Sequence, residues 1–385
     1  PLVIGTLKAS FYSLLFGVPI ALAAAVYTSE FMSPRSKSYL KPAIESMASL
    51  PSVVLGFLAG LVFAPYIETV VPAVLASILT IPLAFLGGAY LWQLVPEKIT
   101  LRLDRWKFLF ICLAVPIGLV AAAPVGALME SVLFGGDLRT WIDGKAGSGV
   151  GGWMFLLFPV GGLFVSAMMS RFATPLLRVR AASLGRSGAA LLDALRFCVG
   201  FALTLFIVWL AALLFEGRGM DPRTGFMLGP YSQRNVLIVG FAMGFAIIPI
   251  VYTIAEDALS AVPEHLRAGS LAAGATRWQT ATRIVIPTAM SGLFSAIMIG
   301  TGRAVGETMI VLMATGNTPV MDWSLFTGAR TLSAAIAVQL PEEVRNSTAY
   351  RTLFLAALTL FAMTFVLNTL AEAVRLRFRK RSYQL

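Results

Sequence analysis

Nine stretches of this chain, near 5 to 27, 47 to 66, 70 to 92, 108 to 130, 153 to 170, 194 to 215, 235 to 257, 288 to 315 and 352 to 374, run for about 20 residues with few charges. A run of that length crosses a hydrocarbon core of about 30 Å as an α-helix. In hydrocarbon every backbone N–H and C=O must find its partner inside the protein, and a helix achieves this within one segment. The repetition of such runs predicts an all-α fold, a polytopic transmembrane helix bundle of about nine spans in a lipid bilayer. Composition agrees, with 58% of the 385 residues hydrophobic and 13% charged, where a soluble domain carries about 25% charged residues.

In such a chain the net charge of +11 reports orientation, not nucleic acid, because Lys and Arg collect in cytoplasmic loops. One alternating set of loops holds 20 of them, including Arg35, Lys37 and Lys41, Lys98, Arg102, Arg105 and Lys107, and the tail at 375 to 381; the opposite set holds 7. This asymmetry predicts a cytoplasmic C-terminus and an external residue 1, and so a further span upstream. Between the second and third runs only Glu68 and the prolines Pro65 and Pro72 mark a division.

Several kinds of chemistry find no footing. Cys112 and Cys198 both sit in apolar runs and His265 stands alone, so neither a disulfide framework nor a metal site is encoded. The start, Pro1-Leu2-Val3-Ile4, lacks the basic region of a signal peptide. The Gly-rich loop at 131 to 152 reads as a flexible external turn. It fails the Walker pattern, since Gly144-Lys145 is followed by Ala146 and the required upstream glycine is Arg139. With no nucleophile–base constellation either, the expectation is a chain that is no enzyme and binds no cofactor of its own.

Two segments carry chemistry. The first runs from Pro263 to Pro287 on the basic side. Pro263 and Glu264 suit a helix start, Gly274 offers a break and Pro287 opens the next span, predicting two short helices on the membrane surface. Without a partner such a segment would be an amphipathic interfacial helix. The second runs from Gly300 to Met309. Arg303 lies roughly 22 Å along its span, where a charge costs about 2.5 kcal/mol or more and normally faces a partner, a cavity or a cargo path. Glu307 follows one turn on, on the same helical face. The two could neutralise each other, with Gly302 and Gly306 as a packing face. Alternatively Glu307 holds a guanidinium that meets an oxyanion in transit.

Gly274, Ile284, Ile286 and Pro287 fall at the spacing of the coupling loop in permeases of binding-protein-dependent ABC importers, which this segment resembles. It departs where Ala268-Gly269-Ser270 replaces the usual Glu-Ala-Ala. The stretch Gly302-Arg303-Ala304-Val305-Gly306-Glu307-Thr308 is similar to a segment of phosphate-specific members, with Met309 and Gly316-Asn317 closer to their C-type subunit. The resemblance implies a type I permease core and a substrate path through Arg303, Glu307 and Thr308. It implies ATPase coupling through Gly274, Ala275, Ile284 and Pro287. The implied partners are ATP-binding subunits holding ATP and Mg, a second permease subunit and a periplasmic phosphate-binding protein, in a bacterial inner membrane. A permease for sulfate or molybdate, or a membrane sensor or scaffold without cargo, is the alternative.

The resemblance covers residues 5 to 66 and resumes from about 235. The division that follows is core spans at 1–66, an inserted four-span membrane segment at 67–233 without an assigned role beyond scaffold, and core with coupling loop at 234–385. An apolar patch at 328 to 341 is expected as a short helix at the outer mouth, where a binding protein would dock.

Overall fold

The computed structural model describes residues 1–95, 107–181, 186–223 and 228–382. Lys98, Arg102 and Arg105 of the basic loops lie outside these. In chain order the helices are α1 (Leu2–Glu30), α2 (Pro34–Met47), α3 (Ser52–Phe57), α4 (Ala64–Leu94), α5 (Lys107–Leu133), α6 (Leu138–Ile142), α7 (Val150–Ala181) and α8 (Arg186–Gly217). There follow α9 (Val236–Ser260), α10 (Glu264–Ala272), α11 (Arg277–Thr280), α12 (Ile286–Gly306), α13 (Met309–Ala314), α14 (Leu332–Gln339) and α15 (Thr348–Ser382). The chain divides into two compact units, Pro1–Pro65 with Ser232–Leu385, and Tyr66–Tyr231.

Among the described residues eight helical runs are long and apolar enough to cross a membrane: Leu2–Glu30, Ser52–Gln93, Phe110–Leu133, Val150–Phe172, Ala190–Gly217, Val236–Ser260, Arg277–Gly306 and Thr348–Val374. The protein is a multi-pass membrane protein. The two spans expected at 47 to 66 and 70 to 92 form one helical run of 42 residues. In place of a loop, only Val70 leaves helical geometry, at φ −124° and ψ 19°. Pro72 is the cause, because it has no N–H for the carbonyl of Glu68. That carbonyl accepts from Arg139 Nη2 at 2.6 Å instead.

Two π-helical turns, Leu58–Phe63 and Ala281–Val285, have the same origin. Each is followed two residues later by a proline, Pro65 or Pro287. A proline inside a helix presses on the carbonyl four residues back, and a widened turn relieves that contact without ending the helix.

In the first unit α1 and α9 pack closely. A Cβ on Gly17 would lie 2.7 Å from the carbonyl oxygen of Gly244, so only glycine permits this backbone approach. Toward the start of α1, Lys8 is fully buried and its ammonium contacts Asp322 Oδ1 at 2.5 Å and Thr327 Oγ1 at 2.7 Å. This pins the irregular segment 315–331 to the helix. Non-helical backbone is tolerated at membrane depth where protein covers it, and Ser324, Phe326, Thr327 and Ala329 are all buried.

In the second unit α4 and α5 run antiparallel, with Gly126 against Ala73 and Gly118 against Ile81. The Gly-rich loop, expected to be a free turn, is tied down. Trp141 is buried and donates from Nε1 to Ser148 O at 2.7 Å. Arg223 lies over the Trp141 ring and donates to Ala146 O at 2.9 Å. Asp221 pairs with Arg223 at 2.7 Å, and that contact holds its carboxyl below the usual aspartate range.

Candidate substrate path and coupling loop

α12 carries Arg303 about 17 residues, roughly 26 Å, from its first residue. The side chain is exposed in this chain, and among the described residues it has no hydrogen bond or ion pair. An uncompensated guanidinium on a membrane-crossing helix is costly unless something else meets it.

Glu307 is not that partner. α12 ends at Gly306, and Glu307 takes an extended conformation at φ −67° and ψ 129°. It therefore leaves the helical face of Arg303 on which a continuous helix would have placed it. Its carboxylate turns forward, where Oε1 accepts from the backbone N–H of Thr308 and Met309, both at 3.2 Å, and of Ile310 at 3.5 Å. These are donors that the first turn of α13 leaves without helical partners, so Glu307 caps that helix. Thr308 Oγ1 contacts Gly306 O at 3.3 Å within the same break. Ser333 Oγ of α14 donates to Glu307 O at 2.9 Å, fixing the break from the other side.

The segment 263–287 folds as α10, a turn, α11 and the π-helical turn into α12. Every residue of α10 is at least partly exposed. The turn is a Schellman closure: Ala275 N–H reaches Ser270 O at 3.2 Å and Gly274 N–H reaches Leu271 O at 3.0 Å. It needs φ +84° at Gly274, which glycine adopts without steric cost. Ala275 is half-buried behind it, and Thr276 then opens α11 with a reciprocal capping box to Gln279. Ile284 is half-buried in the π-helical turn and Pro287 is exposed at the second position of α12.

Residues that sequence reasoning left aside hold this loop to the membrane helices. Arg267 donates to Val262 O and Leu259 O, both at 2.7 Å, and to Glu30 Oε1 at 3.1 Å. One guanidinium thus joins α10 to the ends of α9 and α1. Glu256, buried near the end of α9, pairs with Lys37 and with Lys41 at 2.8 Å; Lys41 also meets Asp257 at 2.8 Å. These contacts, with Asp257 first and Glu256 second, hold the Lys41 ammonium above the usual lysine range. The signal for Lys8 was a lone charge inside an apolar run, which requires a buried partner. Nothing in the spacing named its partner.

The patch at 328 to 341 contains α14, whose residues Leu332, Ser333, Ala334 and Ala335 are buried. Thr6 Oγ1 accepts from Leu332 N–H at 3.0 Å. The apolar character of this half serves internal packing and is not an open docking face.

A family described as "Binding-protein-dependent transport system inner membrane component" matches residues 180–381. The chain is 38% identical over 135 residues to the probable ABC transporter permease protein YqgH of Bacillus subtilis, covering 35% of this chain and 44% of that protein. It is 31% identical over 164 residues to the phosphate transport system permease protein PstC of Mesorhizobium japonicum, covering 43% and 50%. With PstC 1 of Mycobacterium tuberculosis it shares 31% over 148 residues, covering 38% and 44%. The chain spans about half the length of the curated relatives it matches. No solved structure matches. The family match takes in more than half of the chain, and with it the segment 263–287, Arg303 and the capped break at Glu307: this chain belongs to the binding-protein-dependent transport system inner membrane components.

Proposed function

We propose that the chain is a membrane-spanning permease subunit of an ATP-driven importer that moves inorganic phosphate into the cytoplasm. The observation that carries this reading is Arg303: a permanently charged, planar donor on a membrane helix with no carboxylate against it among the described residues. A tetrahedral oxyanion is the ligand such a group binds best, through two parallel N–H···O contacts. The phosphate transport permeases among its relatives support the choice of oxyanion.

In this reading the loop with Gly274, Ala275, Ile284 and Pro287 seats on a soluble ATP-binding subunit that holds ATP and Mg. A second permease subunit completes the path, a periplasmic phosphate-binding protein loads it, and the C-terminus faces the cytoplasm of a bacterium with this chain in its inner membrane. Nucleotide binding drives the cycle by favouring one permease state over the other. The coupling loop runs directly into the helix that bears Arg303, so movement of one is felt by the other.

The test is ATP-dependent uptake by the reconstituted complex. Arg303→Lys keeps the charge and loses the planar fork, and is expected to abolish or cripple phosphate uptake while the complex still assembles. Normal phosphate uptake by that variant would refute the role of Arg303. Uptake of sulfate or molybdate in place of phosphate by the unmodified complex would reassign the cargo.

A further inference from the structure

The unit Tyr66–Tyr231 has no part in the path proposed above, yet it contains a cavity of about 530 Å³ between α4 and the α7–α8 pair. That volume lies within the roughly 300–1,000 Å³ of small-ligand sites. Along α4 the lining reaches from Leu79 to Tyr90, a depth of about 16 Å at 1.5 Å per residue. This is about half of a hydrocarbon core of about 30 Å, the depth of one leaflet.

The two ends of the cavity differ in chemistry. Asp193 and Arg196 are the last charges before the uncharged stretch 197–215 of α8. The Tyr90 hydroxyl reaches Asp193 O at 3.5 Å, and Arg196 joins them at this mouth. The charged end of an apolar span belongs at the level of lipid headgroups. Deeper in, Leu83, Phe158, Val165, Phe197 and Phe201 form an apolar wall. Only Ser166 and Thr204 interrupt it, and Thr204 gives its hydroxyl to Gly200 O. An apolar cleft of this kind does not hold water and takes up hydrocarbon.

The charges at the mouth form a loose, solvent-exposed ion pair that a ligand can open. Arg196 Nη1 and Asp193 Oδ1 stand 3.9 Å apart, beyond hydrogen-bond distance, with the Asp193 side chain 59% exposed. A guanidinium binds a phosphodiester, and a carboxylate one turn away binds an ammonium. We propose that this cavity binds one acyl chain of an aminophospholipid, its headgroup phosphate on Arg196 and its ammonium on Asp193. This assignment is independent of the cargo and of the ATPase, and gives the second unit a lipid-binding role.

The experiment uses the intact complex in phosphatidylcholine vesicles doped with a phospholipid that carries a photoreactive group on its acyl chain. An ethanolamine headgroup is compared with a glycerol headgroup on the same chain. Crosslinks to the ethanolamine probe are expected to concentrate in the peptides bearing Phe158, Phe197 and Phe201. Asp193→Asn, at an exposed position that leaves packing intact, lowers that capture about tenfold, the weight of one charge-assisted contact, without changing capture of the glycerol probe. Gly200→Leu, which fills the cleft beside Met169, lowers both. Crosslinks spread evenly over the membrane helices, or equal capture of the two headgroups, would overturn the proposal.

Discussion

Arg267 and Glu30, 237 residues apart in sequence, meet at 3.1 Å, and the same guanidinium donates to Leu259 O in the last turn of α9 and to Val262 O just beyond it. Each hydrogen bond to a charged group contributes about 1.5–3 kcal/mol, less here because the Arg267 side chain is 22% exposed. Arg267→Ala is expected to raise amide hydrogen exchange over 264–272 by at least about tenfold, with Arg267→Lys intermediate because an ammonium cannot span the same three acceptors. Unchanged exchange would mean that α10 is held elsewhere.

Lys8 and Asp322 form a buried pair, and removing one partner strands the other. Lys8→Met should destabilise the protein by about 3–5 kcal/mol. The double variant Lys8→Met with Asp322→Asn should be distinctly milder, because no buried charge is left alone. Thermal unfolding of the three proteins in one detergent decides this; equal losses in single and double variants would count against a coupled pair.

The capping role of Glu307 separates charge from hydrogen bonding. Glu307→Ala should cost about 1 kcal/mol through the lost cap, whereas Glu307→Gln keeps an acceptor and most of the stability. If capping is its whole task, Glu307→Gln also keeps most of the uptake. A stable Glu307→Gln protein with uptake abolished would instead show that the negative charge acts on the cargo.

The Lys41 contacts have a defined pH window. The folded pKa is raised, so their contribution is fully present below the unfolded value of 10.5 and fades only as pH rises through the higher folded value. Protection of α2 against proteolysis should therefore stay constant from about pH 6 to pH 9, and Lys41→Gln should reduce it throughout that range. Loss of protection in the unmodified protein between those limits would show that another group controls the contact.

The bundle was legible because backbone in hydrocarbon has few options, so apolar runs of sufficient length mark helices almost unaided. The turn at Gly274 was legible for a related reason, since a helix stop followed by a positive φ favours one residue type. What spacing could not show was where a helix stops while its composition stays apolar. Ser52–Gln93 looked like two spans because Pro65 and Pro72 resemble loop residues, yet one is absorbed by a widened turn and the other by a single kinked residue. Glu307 looked like the next-turn neighbour of Arg303 because periodicity assumes an unbroken helix, and no periodic count registers a one-residue excursion at Glu307. Lys8 with Asp322 and Arg267 with Glu30 join residues hundreds of positions apart, which a single sequence does not encode in any local pattern.

The widened turn Ala281–Val285 also preserves a phase. An α-helix advances about 100° per residue and a π-helical turn less, so five residues in the wider turn cover about the angle that four cover in an α-helix. One residue fewer there would restore ordinary pitch, leave the helix continuous and hold Arg303 at about the same angle relative to the segment 263–280. A single-residue deletion within Ala281–Val285 is therefore absorbed, whereas the same deletion above it, between Ile286 and Arg303, would swing the guanidinium by about 100° about the axis without removing a functional side chain.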